Sequence, residues 1–293
     1  MRMRALLLAI VIGAAALAGC GRDTDGEAPA SADAGGRPID AVLVPTRHLQ
    51  AGDLEALARD SVPPALHTRL DTAWREGRSR WPLEELPLQE QLPRLIAALS
   101  APDAERTLMT GFERQFSGAE GELRRAIETL GAFGVQYIQG DPDLDESERE
   151  RQIQLLVAVS RWAADAPLAD PARARRALAQ LCEAARETGL DSDAAFQAAG
   201  MAESLRRMSA FLAVAKSVLA DYGLDLDASL AGIEVRLERQ TGDRAELRMR
   251  YPVGNGEVDA RLGVERRDRR WYRSDWLRHA EAAASRPAAP DAD

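Results

Sequence analysis

Two hydrophobic periods divide this chain. From Pro38 to about Asp227 apolar residues return every three or four positions. From about Ser229 to Trp276 they alternate with charged ones. The first spacing lays one apolar stripe along a helix and the second lays one face on a strand. Ile39, Val42, Leu43 and Leu49 predict a first helix, and Asp53 stands where an N-cap is needed for Leu54 to Arg59. After Pro63-Pro64, Leu66, Leu70 and Trp74 form one stripe. Pro82 and Pro87 interrupt the chain before Leu92, Leu95, Ile96 and Leu99 resume the pattern. Asp103 is placed to cap a helix carrying Leu108, Met109, Phe112 and Phe116. A further helix spans Glu122 to Tyr137 with Leu123, Ile127, Leu130 and Phe133, weakened by Gly131 and Gly134.

Further helical segments follow. Asp145-Glu146-Ser147-Glu148 has capping-box spacing ahead of Ile153, Leu156, Val157 and Trp162. Asp170-Pro171 sets an N-cap beside a first-turn proline, and Gly189 suits the helix end. Asp191 or Asp193 starts a short piece ahead of the long amphipathic run Met201 to Tyr222. In the strand-like part Ile233, Val235 and Leu237, then Ala245, Leu247, Met249 and Tyr251, then Val258, Ala260, Leu262 and Val264 mark inward positions. Turn residues at Thr241-Gly242-Asp243, Gly254-Asn255-Gly256 and Arg267-Asp268-Arg269 separate them. The expected fold is α+β and predominantly helical: a multi-helix array, then a three- to four-stranded antiparallel meander packed on helices. The boundaries run 39–228 for the helical region and 229–279 for the sheet region, which belong to one domain or to two. Residues 20–38 and 280–293 are too poor in apolar bulk to fold and are expected to be disordered.

The first residues change the picture most. Arg2 and Arg4 precede an uncharged apolar run from Ala5 to Leu17, which ends in Leu17-Ala18-Gly19-Cys20. A basic start, a short apolar core and small residues before a cleavage point are the parts of a secretory signal. The run is short for a membrane span, which needs about 20 apolar residues. Leu17-Ala18-Gly19-Cys20 resembles the lipobox of bacterial lipoproteins. The resemblance implies a signal peptide over 1–19, cleavage between Gly19 and Cys20, and acylation of Cys20. The partner so implied is the membrane, through the acyl chains. Gly21 resembles the class sorted to the periplasmic face of the outer membrane, where an envelope protein partner would meet the chain. Two further stretches, Leu49 to Leu57 and Val264 to Tyr272, resemble the first helix and the last hairpin of NTF2-like (cystatin-like) lipoproteins. This chain departs from that family in the long helical stretch between them. That second resemblance implies a cone-shaped cavity able to carry a small apolar ligand.

Charge and chemistry mostly exclude. A net charge of −9 argues against nucleic acid and against electrostatic adhesion to anionic lipid. Lys216 is the only lysine, and the remaining basic side chains are scattered arginines. With Cys20 acylated, Cys182 has no partner and reads as a small core residue. His48, His67 and His279 have no metal-ligand spacing. Asp141, Asp143 and Asp145 start like a calcium loop, but Glu146 and Gln152 stand where it needs glycine and glutamate. No Gly-x-Ser-x-Gly elbow is present, so no catalytic residue, metal or cofactor is assigned. Trp74 and Trp81 flank Arg75, Arg78 and Arg80, and Trp271 adjoins Tyr272 near Arg273 and Trp276. Aromatic and arginine clusters mark binding platforms, so Trp74, Arg78, Trp81, Trp271 and Tyr272 are the candidate binding residues. The expected function is a non-catalytic envelope binding or adaptor protein. The alternatives are an envelope hydrolase, for example on peptidoglycan, using a carboxylate pair, and the small-ligand carrier.

Overall fold

The computed structural model describes residues 36–85 and 92–287. The lipobox, and the tether as far as residue 35, lie outside the described residues. The chain runs α1 (Asp40–Ala51), α2 (Leu54–Asp60), α3 (Pro64–Arg75), a 3-10 turn (Leu83–Glu85), α4 (Leu92–Ser100), α5 (Ala104–Gln115), α6 (Glu120–Gly140), α7 (Glu146–Asp165), α8 (Pro171–Thr188), α9 (Asp193–Asp221) and α10 (Leu226–Ala231). Strands β1 (Glu234–Thr241), β2 (Arg244–Val253), β3 (Gly256–Arg267) and β4 (Arg270–Arg273) follow, and α11 (Ser274–Ser285) closes it. The α+β, predominantly helical architecture expected from the periodicity is present, with a four-stranded antiparallel sheet in the order β1-β2-β3-β4.

Local chemistry sets most helix ends. The Asp53 carboxylate accepts from Ala56 N, Asp170 from Ala172 N and Arg173 N, and Asp225 from Ala228 N. Asp145 and Glu148 form the expected capping box at α7. Gly189 adopts the left-handed conformation that ends α8. Asp103 departs from expectation: at φ 60° it accepts no capping bond and instead pairs with Arg106 at 2.6 Å. Ser192, rather than a neighbouring aspartate, caps α9. That helix is broken at Gly200, with φ 75° and ψ 174°. One turn before the break, the Phe196 carbonyl accepts from the Trp74 indole (2.9 Å) and the Ser204 hydroxyl (3.2 Å). Lys216, the sole lysine, donates to the last carbonyls of α1 at Leu49 (3.4 Å) and Gln50 (3.2 Å) and pairs with Asp227.

Two apolar clusters result. One is helical and gathers side chains of α2 to α5, α8, α9 and α11 around the Leu66–Leu70–Trp74 stripe. The other lies under the sheet, where Leu247, Met249, Val258, Ala260 and Leu262 meet Ala158, Val159, Trp162 and Ala163 of α7 and Val42 of α1. Tyr222 packs against both. The alternation in β2 and β3 falls inward as expected. Leu237 does not: the register slips between Leu237 and Arg239 on edge strand β1, and it is 46% exposed. The outer face is laced by arginine–carboxylate pairs, including Arg248–Asp259 at 2.7 Å and Arg261–Glu238 at 2.8 Å. Beyond the short β4, the free edge of β3 is covered by Gln154 of α7, whose side chain donates to Asp259 O and accepts from Asp259 N.

Two boundaries shift. Helix α10 runs past residue 228, so the sheet begins at Glu234. At the other end, residues 274–279 are helical rather than strand, and the tail expected to fray from 280 continues that helix to Ser285. Ala280, Ala283 and Ala284 recur on one face and bury it in the helical cluster, and alanine has the highest helix propensity. Residues 288–293 lie outside the described residues.

Candidate functional site

The expected binding cluster turns out to be core. Trp74 is 0% exposed and Trp81 1%. Trp81 stacks edge-on against Trp276, 6.4 Å between ring centroids, and its indole donates to Glu85 at 3.0 Å. Arg80 lies over the Trp74 ring at 5.3 Å. Arg78 reaches the end of α11, donating to Ala284 O (3.1 Å) and Arg286 O (2.8 Å), and so fastens the two ends of the helical part. Trp271 and Tyr272 are 6% and 1% exposed and point into the sheet cluster and the helical cluster. None of the four aromatics presents a face to a ligand. Burial of so much apolar area outweighs any gain from leaving it at the surface.

A group of charges that includes the buried Glu148 and Asp275 lies on the seam between the clusters. Asp275 at the start of α11 receives Arg273 (2.5 and 3.0 Å) and Arg151 of α7 (2.9 Å), and also accepts from Trp276 N at 2.8 Å. One turn on, the His279 Nδ1 meets Glu85 at 3.0 Å and its Nε2 lies 3.7 Å from Glu148, which also pairs with Arg278. Burial alone would lift the Asp275 pKa, but Arg273 and then Arg151 overcome it and hold the carboxyl far below the usual range. The hydrogen bond to Glu85, against opposing burial, raises the His279 pKa. Glu85, Glu148 and Asp275 each receive donors from these neighbours, which engages the lone pairs a general base would use.

An acid in a hydrolytic pair needs a raised pKa. Among the described residues the shifted carboxyls are all lowered: Glu105 by Arg186, Asp170 by the Arg173 amide, Asp259 by Arg248, and Asp275 as above. Burial pushes the Cys182 thiol up to about 11, which leaves it a thiol at neutral pH. Among the described residues no group of three or more His, Cys, Asp or Glu could hold a metal. Asp145, the last of the three alternating acids, is occupied as a helix cap.

The surface that stands out is on the α6–α7 hairpin. Helix α6 packs chiefly on α7, and α7 in turn covers the sheet. Ile127 is the only buried residue of α6. Gly131 and Gly134, expected to weaken the helix, leave it unbroken from Glu120 to Gly140. They are its contact points: a Cβ at Gly131 would lie 2.8 Å from Ser160 Oγ, and one at Gly134 2.6 Å from a Leu156 methyl. Roughly a quarter turn away, Leu130, Phe133 and Tyr137 face solvent at 43%, 68% and 77% exposure. The apolar pattern placed Leu130 and Phe133 with the core. What separates them from it is that 130, 133 and 137 form a second stripe beside the one through 127, 131, 134 and 138. On the opposite flank an open groove of about 430 Å³ has Gly131, Ala132, Val135 and Val157 along it and the Arg124–Asp165 pair (3.0 Å) at its rim.

No protein-family model, no curated protein and no solved structure matches this chain. Among the described residues no helix is long and apolar enough to cross a membrane.

Proposed function

We propose that this chain is a lipid-anchored protein of the bacterial cell envelope that binds an envelope component and does not turn over a substrate. The Leu17-Ala18-Gly19-Cys20 lipobox supports acylation of Cys20 and a place on the periplasmic face of the outer membrane. The observation that carries the binding role is the exposed stripe of α6. Phe133 and Tyr137 lie mostly in water on a well-formed helix, and large apolar side chains grouped on a surface mark interaction sites. Among the described residues the carboxyls that shift, Glu105, Asp170, Asp259 and Asp275, all shift away from what the acid of a hydrolase needs. The carrier reading needs a dry space beneath the sheet. There Leu247 and Val258 are 0% exposed and Trp162, Ala158 and Val159 fill the opposing face.

A photo-crosslinking residue at Phe133 in the anchored protein tests the binding role. Capture of one envelope component, lost on Tyr137→Asp, is the expected result. Because both side chains are exposed, the double variant Phe133→Asp/Tyr137→Asp should change folding stability by only about 0.5 kcal/mol. Replacement of Cys20 by alanine should move the protein out of the membrane fraction. Robust hydrolysis of an envelope polymer by the purified chain would overturn the reading.

A further inference from the structure

We infer that the component met by the α6 stripe is the lipid surface itself, so that the folded part lies on the bilayer that anchors it. The inference rests on the acylation of Cys20 proposed above and adds a second, apolar contact to it.

Three observations select this occupant. The first is the length of chain between the anchor and the fold. Ile39 packs against the cluster that holds Leu123 and Ile127 of α6, and Ala41 and Val42 belong to it. The stripe begins within a turn of Ile127 and ends about 15 Å along the helix. The roughly 16 residues between Cys20 and Gly36 reach at most about 55 Å. A linker of this length can let the stripe reach the lipid, and it holds the stripe at an effective concentration on the order of millimolar there.

The second observation is size. From their exposures, Leu130, Phe133 and Tyr137 offer roughly 350 Å² of surface. A stable protein interface takes about 800 Å² from each partner. The stripe is too small to hold a protein partner by itself, but a contact already confined to the membrane needs far less.

The third is chemistry. Ala126, Leu130, Phe133 and Tyr137 follow one another at helical spacing without a charge among them. An apolar row ending in a tyrosine suits the boundary between acyl chains and headgroups. An uncharged row also suits an acidic chain, since insertion then needs no anionic lipid.

The test uses the acylated full-length product in vesicles of phosphatidylethanolamine and phosphatidylglycerol. Phe133→Cys carries an environment-sensitive fluorophore, and Gln240→Cys on β1 serves as the control. Cys182 is buried and remains unlabelled. The expected result is a several-fold rise in emission at position 133 on vesicle binding, quenched by spin-labelled lipid and unchanged by salt, with no rise at position 240. A protein that floats with the vesicles while position 133 stays as wet as position 240 overturns the inference and leaves the anchor standing. Shielding of position 133 only when envelope proteins are added, or only as protein concentration rises, assigns the stripe to a protein partner or a second copy and also overturns it. A chain that never acquires lipid overturns the anchor reading and this inference together.

Discussion

Replacing Asp275 by asparagine isolates the charge that holds the seam together. The side chain keeps its shape and can still accept from Trp276 N, but Arg151 and Arg273 lose their anion. Both arginine side chains are 15% exposed and the aspartate 7%, so water cannot substitute for the lost partner. Removing one member of a buried pair costs about 3–5 kcal/mol, because the remaining charge stays desolvated. Total stability for a domain is about 5–15 kcal/mol, so the loss is a large fraction of it. By contrast, Arg124 and Asp165 are 52% and 61% exposed, and breaking that pair should cost about 0–1 kcal/mol. Urea unfolding at pH 7, with both variants measured against the wild type, reads the difference directly. The pH dependence fixes its origin. Because the folded-state pKa of Asp275 is depressed, its stabilisation is complete above the unfolded value of about 4 and is lost as pH falls towards the folded pKa. The gap between wild type and D275N should therefore be full at pH 7 and narrow below about pH 4. A loss under about 1 kcal/mol at pH 7, or a gap that persists unchanged into acid, would refute the argument.

Three other outcomes follow from single sites. His279 has a raised pKa, chiefly through Glu85, so its contribution is full below about pH 6.5 and fades as pH rises through the folded value; His279→Gln should lower the melting temperature more at pH 6 than at pH 9. Cys182 should resist a thiol reagent at pH 8 in the native protein and react completely in denaturant; a fast native reaction would contradict its burial. Gly200→Ala should lower the urea midpoint by an amount equivalent to about 1–3 kcal/mol. The cost there is backbone strain at φ 75° and ψ 174°, since the nearest atom to a new Cβ is Arg75 Nε at 3.7 Å.

How much of this could be read from the chain depends on how far each interaction reaches. Caps such as Asp53, Asp145 and Asp170 act on amides two or three residues away, and their spacing is written in the sequence. Register in β2 and β3 is equally local, because the hairpin at Gly254-Asn255 and a period of two fix every inward side chain. The seam is different in kind. Arg151 and Asp275 are 124 residues apart and Glu148 and Arg278 are 130 apart, and nothing near either partner announces the other. Tryptophans mislead for a related reason. An indole beside arginines reads as a platform, yet Trp74 is fully buried and its acceptor, Phe196 O, lies 122 residues away. The helical tail is hard to read from the chain because alanines carry little hydrophobic signal singly, though Ala280, Ala283 and Ala284 help bury one face of the helix.

The α6 stripe survives an energetic objection that a loosely packed helix would not. Turning α6 by about a quarter turn would bring Phe133 and Tyr137 towards α7. Burying a large apolar side chain contributes about 1.5–3 kcal/mol, so exposure has a cost. Two features hold the helix against that turn. Gly131 and Gly134 let it approach Ser160 and Leu156 more closely than any side chain could, and a rotated helix would present bulk at that contact. Ile127 is buried in the sheet cluster and would be withdrawn from it. The orientation is thus set by contacts on one side of α6, and the aromatic stripe is their fixed consequence on the other. Its position is then a property of the folded chain, reproducible from molecule to molecule, which is what a surface must have to meet the same neighbour each time.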